Sequence, residues 1–515
     1  MSNKVKDTLH ELIRYMSKSE KRYFKVVSSR HTIGDENKYT VLFDFIDRQK
    51  EYDEQAIFEH FKGEAFLNKF SITKKRLYDH IIAALDQFHS SKSCEAQIYK
   101  LLNGAEILYQ KSLYNQSLRQ LRSAEKLALK HHKYNLLGEV NFKLKRIYES
   151  IGGQSEDTIE ELLKKDLDYH HKSMTYDQLW NLKSRLFALL SSKGVSRSEQ
   201  DLELFKQLMD QLAESPGNES HFYFDSKYLY NHLYSAYHFA TNEFEACYHY
   251  LSENILLLEK DQKAIAEQPN RYFSVLSNFI YVAFRLNKHS EMQEAQMKLK
   301  KLSEQALLIS NEDLEIKIFS SLHSIDLTIY MMQGKLEDAA TLIPIVENGL
   351  LTYQDKIPAQ RKAFLNFKIA CVHFARNEFH EALKWINQIL NDPGLDRQED
   401  LVSFAHIISL LIHFEMKNST IMQYVLRNTQ RYLKSRNRMY AFEELFLKFI
   451  NKMSKKNNQI EQEELWEELF NELTGFQDHQ LERVAFEYFD FVTWAEAKAQ
   501  RKSFEKLTRQ KILAA

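Results

Sequence analysis

From about Lys100 to Asn418, apolar residues recur at three- and four-residue spacing in successive runs, the period of helices that bury one face. Each run stops at a small or amide residue. In the best copies an aromatic or aliphatic residue follows two positions later and a second amphipathic run begins. The junctions read SLYNQSLRQLRSA from Ser112, NEFEACYHYL from Asn242, NKHSEMQEAQMKL from Asn287, GKLEDAATLIPIV from Gly334, NEFHEALKWINQIL from Asn377 and NSTIMQYVLRNTQRYL from Asn418. The last five starts lie 45, 47, 43 and 41 residues apart. Ser112 and Asn242 are separated by about three such periods, with Gly152-Gly153 and Gly194 as the intervening stops. A helix pair cannot bury both faces alone, so a chain of such pairs stacks into a solenoid. The predicted fold is all-α, an α-solenoid of stacked antiparallel helix hairpins with helical caps at both ends.

Residues 1–93 break this rhythm and are predicted to form an N-terminal helical domain or cap. Helices are expected near Lys4–Met16, Ser19–Ser28, Tyr39–Gln49, Glu54–Phe61 and Ser71–His89, with a polar break from Ser28 to Asn37. The last of these spaces Ile72, Leu77, Ile81, Ile82, Leu85 and Phe88 on helical intervals, with Ser71 as its N-cap. A joint is expected from Ser90 to Ala96, and residues 94–434 form the repeat array, read as eight hairpins with helices of about 15 to 20 residues. Its loosest joint is ESPGNES from Glu214. Residues 435–515 are expected to add a ninth hairpin, from Tyr440–Met453 and the acidic run beginning at Ile460, and then long helices through Phe489, Trp494 and Phe504. These carry a basic tail of Lys498, Arg501, Lys502, Lys506, Arg509 and Lys511.

The hairpin at Ala363–Pro393 resembles a tetratricopeptide repeat. Ile369 and Ala370 stand at the close-packed positions of the first helix, Asn377 at the turn and Phe379 two residues later. Ala382 takes the small-residue position, with Ile386, Ile389 and then Pro393 following. The copy at Leu101–Ala124 is similar in Gly104, Ala105, Leu108, Tyr114, Ser117, Leu121 and Ala124. Small side chains let neighbouring backbones approach, and Tyr114 or Phe379 fills the wedge between them. The chain departs from the pattern in its longer period, against about 34 residues for the family, and in Leu101 or Asn366 where a large aromatic often opens the repeat. The resemblance covers about two thirds of the chain and implies peptide or protein binding in a concave groove. Carried onto the inward positions of the first helices, it points to His232, Phe239, Tyr281, Phe284, Arg285, Phe364, Phe367 and Phe374 as partner-binding candidates. Aromatic and arginine side chains dominate binding hot spots, and aromatics at helical spacing equally serve core packing.

Composition agrees with a folded helical chain: 12 Gly and 5 Pro in 515 residues leave few tight turns, and 44% hydrophobic with 27% charged residues suffices for a core. A net charge of −1 supplies no global field toward nucleic acid, membrane or acidic substrate. The N-terminal 25 residues are charged throughout, without a signal-like apolar region, and LVSFAHIISLLIHF from Leu401 is shorter than a bilayer span of about 20 residues. Cys94, Cys247 and Cys371 are odd in number and widely spaced, which fits neither a disulfide framework nor a zinc site and points to a reducing cytoplasm.

Catalytic spacings are missing. The sequence has no HExxH, GxSxG, GxxxxGK[ST] or GxGxxG, and the adjacent pairs His131-His132 and His170-His171 diverge by about 100° on a helix. No enzyme activity, cofactor or metal is expected. The acids Glu463, Glu464, Glu467 and Glu468 form a solvated face that could dock the basic tail. Lys69, Lys74, Lys75 and Arg76 gather at the head of a helix, loosely as in a helix-turn-helix unit, and are the candidate nucleic-acid contacts. A second basic run, Arg427, Arg431, Lys434, Arg436 and Arg438, suits a solvated face or an acidic ligand. The sequence therefore predicts a scaffold or adaptor for a protein or peptide partner, with no membrane association. The alternative is a signal-responsive transcription regulator that uses the N-terminal unit on DNA and the repeats as sensor.

Overall fold

The computed structural model describes residues 7–29, 38–90, 93–152, 155–214, 222–308, 311–395, 400–455 and 459–514. Most of the expected joint at 214–220, and parts of the breaks at 28–37, 90–96 and 454–459, lie outside these residues, as does Gly153. The local event that ends eight of the repeat helices is a left-handed residue. Ser112, His132, Asn242, Asn287, Gly334, Asn377, Lys417 and Asn437 have φ between 53° and 64°. The amide of the following residue donates to a carbonyl five residues back, as in Leu113 to Leu108 (2.9 Å), Glu243 to His238 (2.8 Å) and Glu378 to His373 (2.8 Å). This Schellman closure satisfies helix-end carbonyls and favours Gly or Asn at the left-handed position. Five of the six junctions read from the sequence start on that residue; at the sixth it is Lys417, one position before Asn418.

The chain divides into two compact units, Met1–Ser173 and Met174–Ala515. The first contains α1 (Thr8–Tyr15), α2 (Lys18–Ser29), α3 (Lys38–Arg48), α4 (Glu54–His60), a 3-10 turn (Ala65–Lys69), α5 (Phe70–His89), α6 (Cys94–Gln110), α7 (Tyr114–Lys130), α8 (Tyr134–Ile151) and the first part of α9 (Glu156–Lys193). One apolar cluster joins α1 to α5 through Leu9, Ile13, Phe24, Phe43, Ile57, Leu77 and Ile81. Another joins α6 to α9 through Ile98, Leu102, Leu121, Leu137, Leu144 and Leu162. Shorter hairpin helices were expected across 156–193, whereas α9 runs unbroken for 38 residues. Its sequence holds neither Gly nor Pro, so nothing local stops it before Gly194.

The second unit continues with α10 (Glu199–Glu214), α11 (Phe224–Ala240), α12 (Phe244–Glu259), α13 (Gln262–Glu267), α14 (Pro269–Arg285), α15 (His289–Leu308), α16 (Glu312–Met332), α17 (Leu336–Tyr353), α18 (Ala359–Ala375), α19 (Phe379–Leu390), α20 (Asp400–Glu415), α21 (Ser419–Ser435), α22 (Ala441–Met453) and α23 (Gln459–Gln477). Consecutive helices pair as hairpins, and the first helices α14, α16, α18 and α20 also touch one another in series. That double contact is the solenoid: first helices line its inner layer and second helices its outer one. No strand occurs among the described residues. In the hairpin at 363–393, Ala382 and Ile386 are fully buried at the positions where the resemblance placed them.

The C-terminus differs from the long helices expected there. After α23 come a 3-10 turn (Glu482–Glu487), α24 (Phe491–Ala499) and α25 (Phe504–Ala514). Leu481, Val484, Ala485, Phe489, Phe491, Val492 and Trp494 are all buried. Apolar positions so closely spaced cannot share one helical stripe. They are buried because the segment enters the inner face of the repeats.

Candidate functional site

The inner groove grips its own chain along Gln480–Trp494. Gln480 and Arg483 donate to the carbonyls of Thr241 and Asn242 at the end of α11. Glu482 accepts from the backbone amides of Ala441 (3.1 Å) and Phe442 (3.0 Å), capping α22 from a distant part of the sequence, and pairs with Arg197 (3.3 Å). Arg197 also forks onto Glu443, and burial holds the Glu443 carboxyl above its ordinary range even beside that cation. Glu487 pairs with Arg285 and accepts from the Tyr281 hydroxyl. Tyr488 stacks on Phe404 at 4.1 Å, Phe489 lies edge-on to Phe374 at 5.4 Å, and the Trp494 indole donates to Glu415 (2.9 Å).

Beside this segment a cavity of about 640 Å³ remains between α11, α14, α16 and α18, reached also by Phe187 and Leu190 of α9. Its walls are ring-rich, with Phe239, Phe244, Tyr281, Phe284 and Phe364. Ser320, Ser324 and Thr328 of α16 form a hydroxyl stripe at four-residue spacing along it. The Ser320 and Thr328 hydroxyls donate to carbonyls of their own helix, leaving oxygen lone pairs for a donor. Arg361 and Lys368 of α18 face the same space. Burial lowers the pKa of both, and it drives His232 down to about 4, aided by Lys183 and Arg271 nearby. His232 is therefore a neutral ring at physiological pH, and it stacks on Tyr228 and Phe187.

The structure brings together five of the eight groove candidates, His232, Phe239, Tyr281, Phe284 and Phe364, on the cavity wall. The other three hold the C-terminal segment. Arg285 pairs with Glu487, Phe367 is edge-on to Tyr488 at 5.9 Å, and Phe374 meets Phe489. Phe364 is 39% exposed and can meet a ligand directly. Sequence reasoning missed Arg361, Lys368 and the hydroxyl stripe. The available signal was a lysine inside AFLNFKIACVHFA, where every other position except Asn366 and His373 is apolar or small.

In the first unit, Lys74 bonds Asp7 (2.8 Å), Glu54 (3.0 Å) and the Tyr52 hydroxyl (3.0 Å), while Lys69, Lys75 and Arg76 are exposed. Asp7 also caps α1, so Lys74 ties three elements together. In the second unit four cations of the basic tail are paired internally: Lys498 with Glu415, Arg501 with Glu463 of the acidic face, Arg509 with Glu505 and Lys511 with Glu496. Arg438 is buried against Asp400 (2.7 Å), whereas Arg427, Arg431 and Lys434 are exposed on α21. Among the described residues no helix is long and apolar enough to cross a membrane.

Comparison with known proteins adds little. Neither a family model nor a curated protein matches the sequence. Among solved structures, the crystal structure of yeast Tom70 aligns over 81% of this chain and 99% of its own, at 13% identity and a TM-score of 0.24. So slight a superposition bears on neither fold detail nor function.

Proposed function

We propose that this chain is a non-enzymatic cytoplasmic adaptor that holds a protein or peptide partner on its helical-repeat array. The observation that carries this reading is the ring-lined cavity on the inner face of α11, α14, α16 and α18, beside a segment of the chain's own that the same face already grips. The chain's own residues 480–494 run along the rest of that face, so a partner anchors by inserting side chains at the Phe284 and Phe364 edge. Rigid stacked hairpins present this edge with little ordering cost. Residues 1–93 serve in this reading as a helical cap, and Lys74 as its internal tie.

The test is capture of partners by the tagged full-length chain from its native cytoplasm, with and without nuclease, compared with a Phe284→Ala/Phe364→Ala variant. A stoichiometric protein that survives nuclease and is lost from the variant supports the adaptor. Capture that is unchanged in the variant overturns this placement of the site, and recovery of nucleic acid in place of protein favours a regulator.

A further inference from the structure

Charge balance around the cavity carries an inference beyond protein docking. Among the described residues that line it, Glu487 is the one carboxylate, and it is already engaged by Arg285 and Tyr281. Two cations are left over. Lys368 is only 5% exposed, and its Nζ lies 3.5 Å from the Glu487 carbonyl oxygen, at the outer limit of a hydrogen bond. Arg361 donates to the hydroxyls of Ser320 (3.3 Å) and Ser321 (3.2 Å) and lies over the Phe273 ring at 6.0 Å, and the Asp313 carboxylate acts on it from beyond ion-pair distance. No carboxylate stands within ion-pair distance of either among the described residues.

A buried cation without a counter-charge is costly, and proteins rarely keep one without a use; Lys368 is buried and Arg361 half-buried. Here two are placed on one face of α18, seven residues apart, with Phe364 between them. The rest of the wall supplies rings and hydroxyl oxygens rather than further charge. Buried His232, whose Nδ1 has no hydrogen-bond partner, adds an unsatisfied polar atom on the opposite helix.

We propose that this cavity binds a small organic acid, its anionic head held by Lys368 and Arg361 and its apolar body laid against Phe239, Phe284 and Phe364. A volume of about 640 Å³ falls in the range of small-molecule sites, about 300–1,000 Å³. A through-running peptide does not fit, because Glu487, Tyr488 and Phe489 take the groove next to Lys368. The hydroxyl stripe on α16 suits polar substituents on the ligand body. This site needs no protein partner and stands or falls separately from the adaptor reading.

Fluorescence titration of the full-length chain tests it with two probes that share one ring system. 1-Anilinonaphthalene-8-sulfonate carries a single anionic group, and N-phenyl-1-naphthylamine is its neutral counterpart. The sulfonate is expected to bind one per chain, about tenfold or more tighter than the neutral probe. Lys368→Met should abolish that preference while the neutral probe still binds, which shows the cavity intact. Arg361→Met should weaken the sulfonate several-fold by the same criterion and serves if Lys368→Met does not fold. Ser324→Phe, which places a ring in the cavity, should exclude both probes. Equal affinity for the two probes in the unaltered chain, or a preference that survives both cation substitutions, overturns the anion site. Binding untouched by Ser324→Phe overturns its location. Both proposals use the Phe284 and Phe364 edge, but the probe titration contains no partner and reads Lys368 and Arg361, whereas partner capture is read with both cations in place, so failure of one is distinguishable from failure of the other.

Discussion

Arg197 closes the second unit on itself, and its replacement by Met is the sharpest test of that closure. The guanidinium is 3% exposed and lies in the loop after α9, yet it bonds Glu443 at the head of α22 and Glu482 in the C-terminal segment. Those carboxylates are 1% and 7% exposed. Removing the cation leaves both buried without it, which costs about 3–5 kcal/mol in comparable sites. Burial already raises the Glu443 pKa, and loss of Arg197 raises it further. A carboxyl whose folded pKa lies above its unfolded value destabilises the fold above that range and not below it. The deficit should therefore be largest at neutral pH and shrink as Glu443 protonates. Closure can open locally without global unfolding, so amide hydrogen exchange across residues 441–446 and 481–494 is the assay. Exchange there should quicken by about a hundred- to several-thousand-fold, the Boltzmann equivalent of the cost above. Adding Glu443→Gln and Glu482→Gln removes the uncompensated charge and should restore most of the protection. Acceleration below about fivefold, or a triple variant no better than the single one, would refute the assignment of Arg197 as the counter-charge.

Four further outcomes follow from the same coordinates. His232 and His406 are held neutral, each with a pKa near 4 from burial; the unfolded chain takes up their protons first, so each should remove about 3 kcal/mol of stability between pH 6.5 and 4. His406→Leu should flatten the acid side of the urea-midpoint profile, and an unchanged slope contradicts this. Gly349→Ala should lower the thermal midpoint although Ala gains about 1 kcal/mol over Gly in a helix, because its methyl group would overlap the Phe319 ring and overpacking costs about 1–3 kcal/mol; a raised midpoint refutes the contact. Burial pushes the Cys247 and Cys371 thiols up to about 12, so an aromatic disulfide reagent should titrate half-buried Cys94 first and the other two only in denaturant. Anisotropy with a fluorescent duplex at low salt should show no change when Lys69, Lys75 and Arg76 are replaced by Glu; a salt-sensitive signal lost in that variant would establish the regulator.

Much of the array was legible because its turns are local. A left-handed residue after an apolar run is written in four or five consecutive positions, so Asn242, Asn287, Gly334 and Asn377 declare themselves without any tertiary information. The first five helices were readable for a similar reason, each carrying its own stripe, as Leu77 and Ile81 do in α5. Residues 480–494 were not legible in this way. Their course is set by Arg197, Arg285, Tyr281 and Phe404, partners up to about 285 positions distant in sequence, and no local pattern encodes such a path. The groove candidates divided accordingly. Helical position placed Phe284 and Phe364 on the inner face, where they line the cavity, but it could not tell that Phe367 and Phe374 face the chain's own Tyr488 and Phe489.

The C-terminal segment changes what the repeat array can do. A solenoid groove left open is a continuous trough whose charges are screened by water and whose natural ligand is another chain. Here Glu482 caps α22, Glu487 takes up Arg285, and Tyr488 to Trp494 fill the trough with rings. The groove is thereby cut to a short, ring-walled chamber. Low dielectric strengthens every electrostatic contact inside it, those of buried Lys368 included. On the proposed reading, the same insertion that stabilises the array converts part of its inner face into a small-molecule pocket. The class of ligand proposed for it follows from Lys368 and Arg361, the two cations that Glu487, already committed to Arg285, does not balance.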